Sequence, residues 1–471
     1  MHEPLDRIHD ASMTLLETTG IRIHHPDILK KLAQKGIRCE GDTLYFTRQQ
    51  INKLIASAPA TVSLHAPDPK FNMEIGGDNT YYGSGYGCAA IIDREGRQRR
   101  PLFDDFKRFM QMVEASPHFH LNGGILVQPS DLPPEHSTPL MIRELLLHSQ
   151  KCLMGIPGHR DEVERTMEMV AIARGDLSKA HRIITLVNAT SPMQFDSIAL
   201  ETMEVCAKYR QPIIISPGPI AGATGPVTLA GNIAMGNAEA LAGVAITQLL
   251  SKGTPVLYGL QATTADMATG TACVGSPGFA LEAEAGIRLA KRYGLPCRSG
   301  GAGSDACVSG AQSGAEAMMT LMVSRRERAN LMLHSAGILD GYGAMSIDKF
   351  ITDLEVISMV EYFEKGLDTS EEHLGLAVID QTAKGSTILA HPHTFKHCRT
   401  APWTPSVSWR GPLKGKTGRE VYEDRMDQAI ETLLNACPAF ESPCRKQLDT
   451  FLTSLGVPTD LLDGCETAHQ S

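Results

Sequence analysis

Two kinds of hydrophobic pattern alternate along the chain. Short runs rich in β-branched and apolar residues lie at Leu121–Val127, Cys152–Ile156, Ile183–Val187, Ile213–Ser216, Pro255–Tyr258, Pro296–Ser299 and Leu331–His334. Their starting points are roughly 30 to 42 residues apart, enough for a strand, a helix and two loops. The segments between them repeat with helical spacing: Phe106, Phe109, Met110 and Val113, or Ile198, Thr202, Val205 and Cys206. Strand and helix alternating this often predict a parallel sheet. No dinucleotide fingerprint follows the first strand, and six or more similar units favour an α/β fold of the eight-stranded β/α (TIM-like) barrel type over an open sheet. The eighth strand is expected near Cys88–Ile92 or after Ala377.

Both ends read as helical additions to that barrel. Ile8, Leu15 and Leu16, then Ile28, Leu29 and Leu32 followed by Gly36, predict two short helices. Thr417 and Glu420 have capping-box spacing ahead of Met426, Ile430, Leu433 and Leu434. The division expected is an N-terminal helical extension packed on the barrel over 1–80, the β/α barrel over 81–390, and a C-terminal segment with helices over 391–471.

Composition narrows the function classes. The chain has 471 residues, 42% of them hydrophobic and 21% charged, which excludes a disordered or fibrous protein. A net charge of −9 argues against a nucleic-acid surface. The apolar stretches look broken short of the roughly 20 residues that span a bilayer, so no membrane association is expected. Met1 to Gly20 mixes acids, bases and apolar residues, unlike a signal or transit peptide, and a cytoplasmic location is expected. The 11 Cys, without C-x-x-C pairs, suit a reducing compartment.

In a β/α barrel the chemistry sits at the C-terminal ends of the strands. Here those ends read Asn188–Pro192, Ser216–Pro226, Tyr258–Gln261, Ser299–Asp305 and His334–Gly337, dominated by small residues, which predicts a wide mouth. The Gly-rich pieces Gly83–Gly87 and Gly300–Gly303 lack the spacing of a phosphate-binding loop and read as tight turns. Titratable groups are few: Asp305 and His334, with Asp266, Glu282, Glu284 and Asp340 nearby. No nucleophile elbow and no strand-end Lys is present, so no catalytic residue is assigned and the site is read as positioning its reactants.

Aromatics are only 5% of the chain, yet Tyr81, Tyr82, Tyr86, Phe195, Tyr258, Phe279 and Tyr342 fall at or near the expected loops. Ring faces hold a quaternary ammonium, which cannot donate a hydrogen bond. For any single one of these residues packing is the commoner role; Tyr86 and Tyr258 are the strongest candidates. His391, His393 and His397 have spacings that suit zinc, although Pro392 interrupts the run and no fourth ligand is evident. A structural role is the better reading, and no metal is assigned.

Taken together, Ile8–Met13 through Thr19–Ile21, Gly300–Asp305, Ala336–Gly341 and His391–Arg399 resemble the trimethylamine methyltransferase family. The resemblance runs from about Ile8 to about Leu434, and is strongest to members that lack pyrrolysine and demethylate quaternary amines such as glycine betaine. It implies a barrel enzyme that passes a methyl group from a quaternary amine to the Co(I) corrinoid of a separate corrinoid protein. Trimethylamine-specific members carry pyrrolysine, and every residue here is a standard one. A quaternary ammonium leaves as a neutral tertiary amine without a proton, in line with the sparse titratable set. For a betaine, His334 and Gln261 are the expected carboxylate donors, Tyr86 and Tyr258 the expected ring faces, and Asp305 a group facing the ammonium or orienting a neighbour. Expected partners are the corrinoid protein and the amine, with self-association into a homo-oligomer. A corrinoid-carrying chain would show Asp-x-His-x-x-Gly; His120 with Gly123 and His334 with Gly337 have the spacing, but His118 and Met332 stand where Asp would be. No bound corrinoid is therefore expected on this chain. Competing readings are a metal-dependent barrel hydrolase or lyase using the three histidines, and a non-catalytic methylated-amine-binding protein.

Overall fold

The computed structural model describes residues 2–385 and 387–463. Eight short strands, Tyr81–Gly83 (β1), Phe119–Gly123 (β2), Cys152–Met154 (β3), Ile183–Val187 (β4), Ile213–Ile215 (β5), Val256–Tyr258 (β6), Arg298–Gly300 (β7) and Leu331–Leu333 (β8), form one sheet. Neighbours in the chain are neighbours in the sheet and run parallel, β8 pairs with β1, and a Tyr258–Cys297 bridge joins β6 to β7. The sheet is thus a closed eight-stranded barrel. The eighth strand is β1, not either of the expected segments. Its run, Tyr-Tyr-Gly, is too short and too glycine-rich to signal a strand. Ala90–Ile92 is a strand of a separate four-stranded sheet, and the chain after Ala377 is helical, in Leu376–Ala383.

Each barrel strand leads to a helix: Phe103–Ala115 (α1), Pro134–His148 (α2), Arg160–Arg174 (α3), Ser197–Tyr209 (α4), Leu229–Leu250 (α5), Pro277–Arg292 (α6), Ala311–Arg326 (α7) and Ile347–Glu364 (α8). Strand alternation sorts the apolar side chains. Leu121, Met154, Ile184, Leu186, Ile214, Leu257, Leu331 and Leu333 fill the interior, while Ile183, Ile213, Ile215 and Val256 face the helices. The hairpin Thr61–Leu64/Met73–Gly76 plugs the bottom with Val62, Leu64, Met73 and Ile75. Asn330, just before β8, donates to the carbonyls of Gly77 and Asn79 and places this plug at the N-terminal end of the strands. The opposite, C-terminal end is left for the site.

The first 80 residues hold strands as well as helices, and Ile21–Ile23 pairs with Gln194–Phe195 beyond β4. Their helices His2–Thr18 and Arg48–Ile55 cover the outer face of α5. With barrel on one side and these helices on the other, α5 is buried almost all round. That explains its unbroken apolar character. At 22 residues it is long and apolar enough to cross a bilayer, against the expectation that every apolar stretch is too short, but it is an internal helix of the fold.

The barrel helices end at Glu364, and the helix Gly418–Asn435, with the Thr417/Glu420 capping box in place, packs on α8 and α1. Within α8, Lys349 and Asp353 form a fully buried ion pair. Lys349 also donates to the Ala302 carbonyl at 2.9 Å, and Asp353 accepts from the Gly337 amide at 2.8 Å. The pair therefore ties the loop after β7 to the loop after β8. Removing one partner strands a charge in the core, which typically costs about 3–5 kcal/mol. Asp353→Ala is expected to lower the melting temperature sharply, as thermal unfolding monitored by circular dichroism will show.

Candidate functional site at the barrel mouth

The loops after β1 and β8 bring three rings together. After β8 the backbone turns left-handed at His334 (φ 58°), where a side-chain-bearing residue is strained. The turn is held on both sides: the His334 amide donates to Ser84 O at 3.2 Å and its carbonyl accepts from Ala302 N at 2.9 Å. Its ring stacks on Tyr86 with centroids 4.3 Å apart and meets Tyr342 at 4.5 Å. Tyr342 itself follows two further left-handed residues, Asp340 and Gly341. The turn Ser335–Gly337 that follows His334 predicts a place on the rim of the mouth, but the residue is only 6% exposed and lies beneath it. Burial, helped by the Arg298 cation, holds its imidazole well below the usual histidine pKa of 6.5, so it is neutral at physiological pH. Its Nδ1 is buried with no hydrogen-bond partner among the described residues.

Arg298 stands beside these rings. It enters from β7 on the inward face, and one guanidinium nitrogen donates to Gln261 Oε1 and, at 3.2 Å, to Ser216 Oγ. Gln261 in turn donates to the Tyr342 hydroxyl at 2.6 Å. Burial pushes the phenols of Tyr86 and Tyr342 up, and Arg298 pulls both partly back. Glycine makes this crowding possible. A methyl group on Gly300 would lie 2.7 Å from both Gln261 Nε2 and Phe279 Cζ. Gly300→Ala is expected to displace Gln261 and to cost about 1–3 kcal/mol by overpacking, read as a drop in melting temperature.

Of the residues expected from sequence, the structure brings Tyr86, His334 and Gln261 together and leaves two apart. Tyr258 points away from the mouth into the helix layer: it is fully buried, its hydroxyl donates to Asn237 Oδ1 at 2.8 Å, and its ring lies by Tyr293. Asp305 accepts from the Val274 and Gly275 amides at 2.6 and 3.0 Å and clamps the loop after β6 to the loop after β7. Glu282, pushed up to about 7 by burial, bonds Asn232 under the small sheet Ile220–Ala221, Thr263–Ala265, Ala272–Cys273. Of the three histidines of the C-terminal segment, His391 bonds Gln381, while His393 and His397, whose ring centroids lie 4.5 Å apart, bond the Glu372 carbonyl and carboxylate. Among the described residues no group of three or more His, Cys, Asp or Glu is placed to hold a metal ion.

Arg298 and Tyr342 complete the cluster; Tyr342 is one of the aromatics near the expected loops but is not singled out there, and Arg298 is not among the expected donors. Arg298 had a signal. A charged residue inside a strand buried on both faces needs a reason to be there. Beside the cluster opens a cavity of about 290 Å³, walled by Tyr86, Ile125, Met154, Ile156, Leu186 and Val187, with Asn188 and Asp196 at its edge. It is mostly apolar, and Tyr86 belongs to both cavity and cluster.

A closed β/α barrel with an apolar cavity beside a cluster of rings at the C-terminal ends of its strands defines a barrel enzyme acting on a small molecule. The chain belongs to the trimethylamine methyltransferase (MTTB) family, whose description matches residues 1–454, and is a methyltransferase. It is 36% identical over 433 residues to the glycine betaine methyltransferase of Desulfitobacterium hafniense, covering 91% of this chain and 88% of that one. It is 26% identical over 381 residues to the proline betaine:corrinoid methyltransferase of Eubacterium limosum, covering 78% of each. Among solved structures, the monomethylamine methyltransferase of Methanosarcina barkeri shares the fold, with a TM-score of 0.53 and 11% identity over 93% of this chain and 88% of that one.

Proposed function

We propose that this protein moves a methyl group from a quaternary amine, glycine betaine or a related betaine, to the Co(I) corrinoid of a separate corrinoid protein in the cytoplasm. The observation that carries this reading is the layer of Tyr86, His334 and Tyr342 beside an apolar cavity at the mouth. Ring faces and apolar walls suit a trimethylammonium group, which is bulky, cationic and without a donor. The neutral His334 fits a displacement in which the departing tertiary amine takes no proton. The chain's work is then to fix the ammonium, exclude water and leave one N-methyl carbon facing the open side, in line with the incoming cobalt. His334 and Gln261 would hold the betaine carboxylate at the other end.

Two results test this. Glycine betaine should be converted to dimethylglycine only when a reduced corrinoid protein is added; product formed without one would contradict the reading. The purified chain should show no tightly held corrinoid by its visible absorbance, and a stoichiometric corrinoid spectrum would overturn the assignment of that group to the partner.

A further inference from the structure

Arg298 is a guanidinium cation only 3% exposed. No carboxylate pairs with it among the described residues: the Ser216 hydroxyl, the Gln261 carbonyl oxygen and the Tyr86 phenol that it meets are all neutral, and its Nε has no hydrogen-bond partner. A buried cation without an anion is costly, so such a group is retained where a ligand supplies the charge. His334 Nδ1, orphaned in the same layer, offers a second unused polar atom. The surroundings select the kind of ligand. A simple cation would be repelled by the guanidinium, whereas a zwitterion places its negative end there and its positive end against the ring and apolar wall.

We propose that Arg298 is the receptor for the substrate's carboxylate and thereby selects betaines over quaternary amines that carry no anion. This rests on the methyl-transfer reading above and adds to it the residue that decides the substrate class. The carboxylate replaces Gln261 Oε1 on the guanidinium, with His334 Nδ1 and the second amide N–H of Gln261 as further donors. The trimethylammonium group then lies on the cavity side of Tyr86, among Met154, Ile156 and Leu186. Gln261, released from Arg298, keeps its bond to the Tyr342 hydroxyl. The cavity itself is lined by one acidic side chain, Asp196 at its edge, which suits the ammonium end.

Calorimetric titration of glycine betaine and of choline tests this, since both carry the same trimethylammonium group and only the betaine is anionic at the other end. The wild-type chain should bind glycine betaine at least tenfold more tightly than choline. Arg298→Gln should weaken glycine betaine binding by on the order of a hundredfold while leaving choline binding unchanged or improved. Arg298→Lys should restore part of the loss. Equal wild-type affinity for the two ligands would overturn the proposal, as would undiminished betaine binding by a folded Arg298→Gln chain. The wild-type comparison decides even if the variant does not fold. Choline bound and demethylated as well as betaine would sink the carboxylate receptor and leave the methyl-transfer reading standing; neither ligand bound or demethylated would remove both.

Discussion

Replacing His334 by alanine is expected to lower kcat/KM for a betaine by roughly ten- to a hundredfold, the worth of a hydrogen bond to a charged group. It is also expected to destabilise the chain, because the ring is buried between Tyr86 and Tyr342 and its loss leaves a cavity. Large-to-alanine truncations in packed cores cost about 2–5 kcal/mol. The two effects separate in His334→Gln, which keeps a donor and much of the volume. That variant should recover more activity than alanine. If both variants melt low and retain wild-type kcat/KM, the residue serves packing alone. The pH dependence has a defined sign. The folded chain keeps His334 neutral while the unfolded chain takes up a proton near pH 6.5. Its share of stability is therefore fully present above pH 6.5 and is lost as the pH falls below it. Thermal melts of wild type and His334→Gln between pH 5 and 8 should converge at the acid end if this linkage holds.

The second large effect is selectivity for the amine. Quaternary amines should be demethylated and trimethylamine should not, with a difference on the order of a hundredfold or more. A quaternary nitrogen already carries the charge that makes it a leaving group. A tertiary amine needs activation, and the rings around the cluster supply none. The phenols of Tyr86 and Tyr342 are driven up by burial, and His334 is held neutral. Every residue of the chain is standard, so no pyrrolysine is present to do that work. Arg298 further disfavours a small cation without an anionic tail. Comparable turnover of trimethylamine and glycine betaine, measured side by side, would defeat this.

The barrel was legible in the sequence because its strands are apolar on both faces and separated by helix-length segments. Ile183–Val187 shows it plainly: all five residues are buried, and the structure places the strand where the pattern does. Tyr81–Gly83 did not show because a three-residue run ending in glycine carries little periodicity. The glycine is there for space: a methyl on Gly83 would lie 2.5 Å from Leu333 Cδ2. Helix α5 hid its orientation for the opposite reason, since burial on all sides erases the polar stripe that marks an amphipathic helix.

Within the site, proximity to strand ends found Tyr86, His334 and Gln261, and misled at Tyr258. Tyr258 is the last residue of β6, and alternation turns it to the helices while Leu257 takes the interior. The same alternation puts Arg298 inside with Gly300, one residue of which could have been singled out as a charge in an apolar strand. Tyr342 was visible only as a tyrosine near a loop. Its place over His334 depends on three successive left-handed residues, a local geometry that composition does not reveal.

The central claim is tested most directly by following cobalt and amine in one reaction. The purified chain, a Co(I) corrinoid protein and glycine betaine are mixed without oxygen, and the visible spectrum and dimethylglycine are recorded together. Loss of the Co(I) spectrum in favour of methyl-Co(III), with one dimethylglycine formed per cobalt methylated, is the expected result. Dimethylglycine formed with the Co(I) spectrum unchanged, or no reaction with any betaine under conditions where the chain is folded, would contradict it.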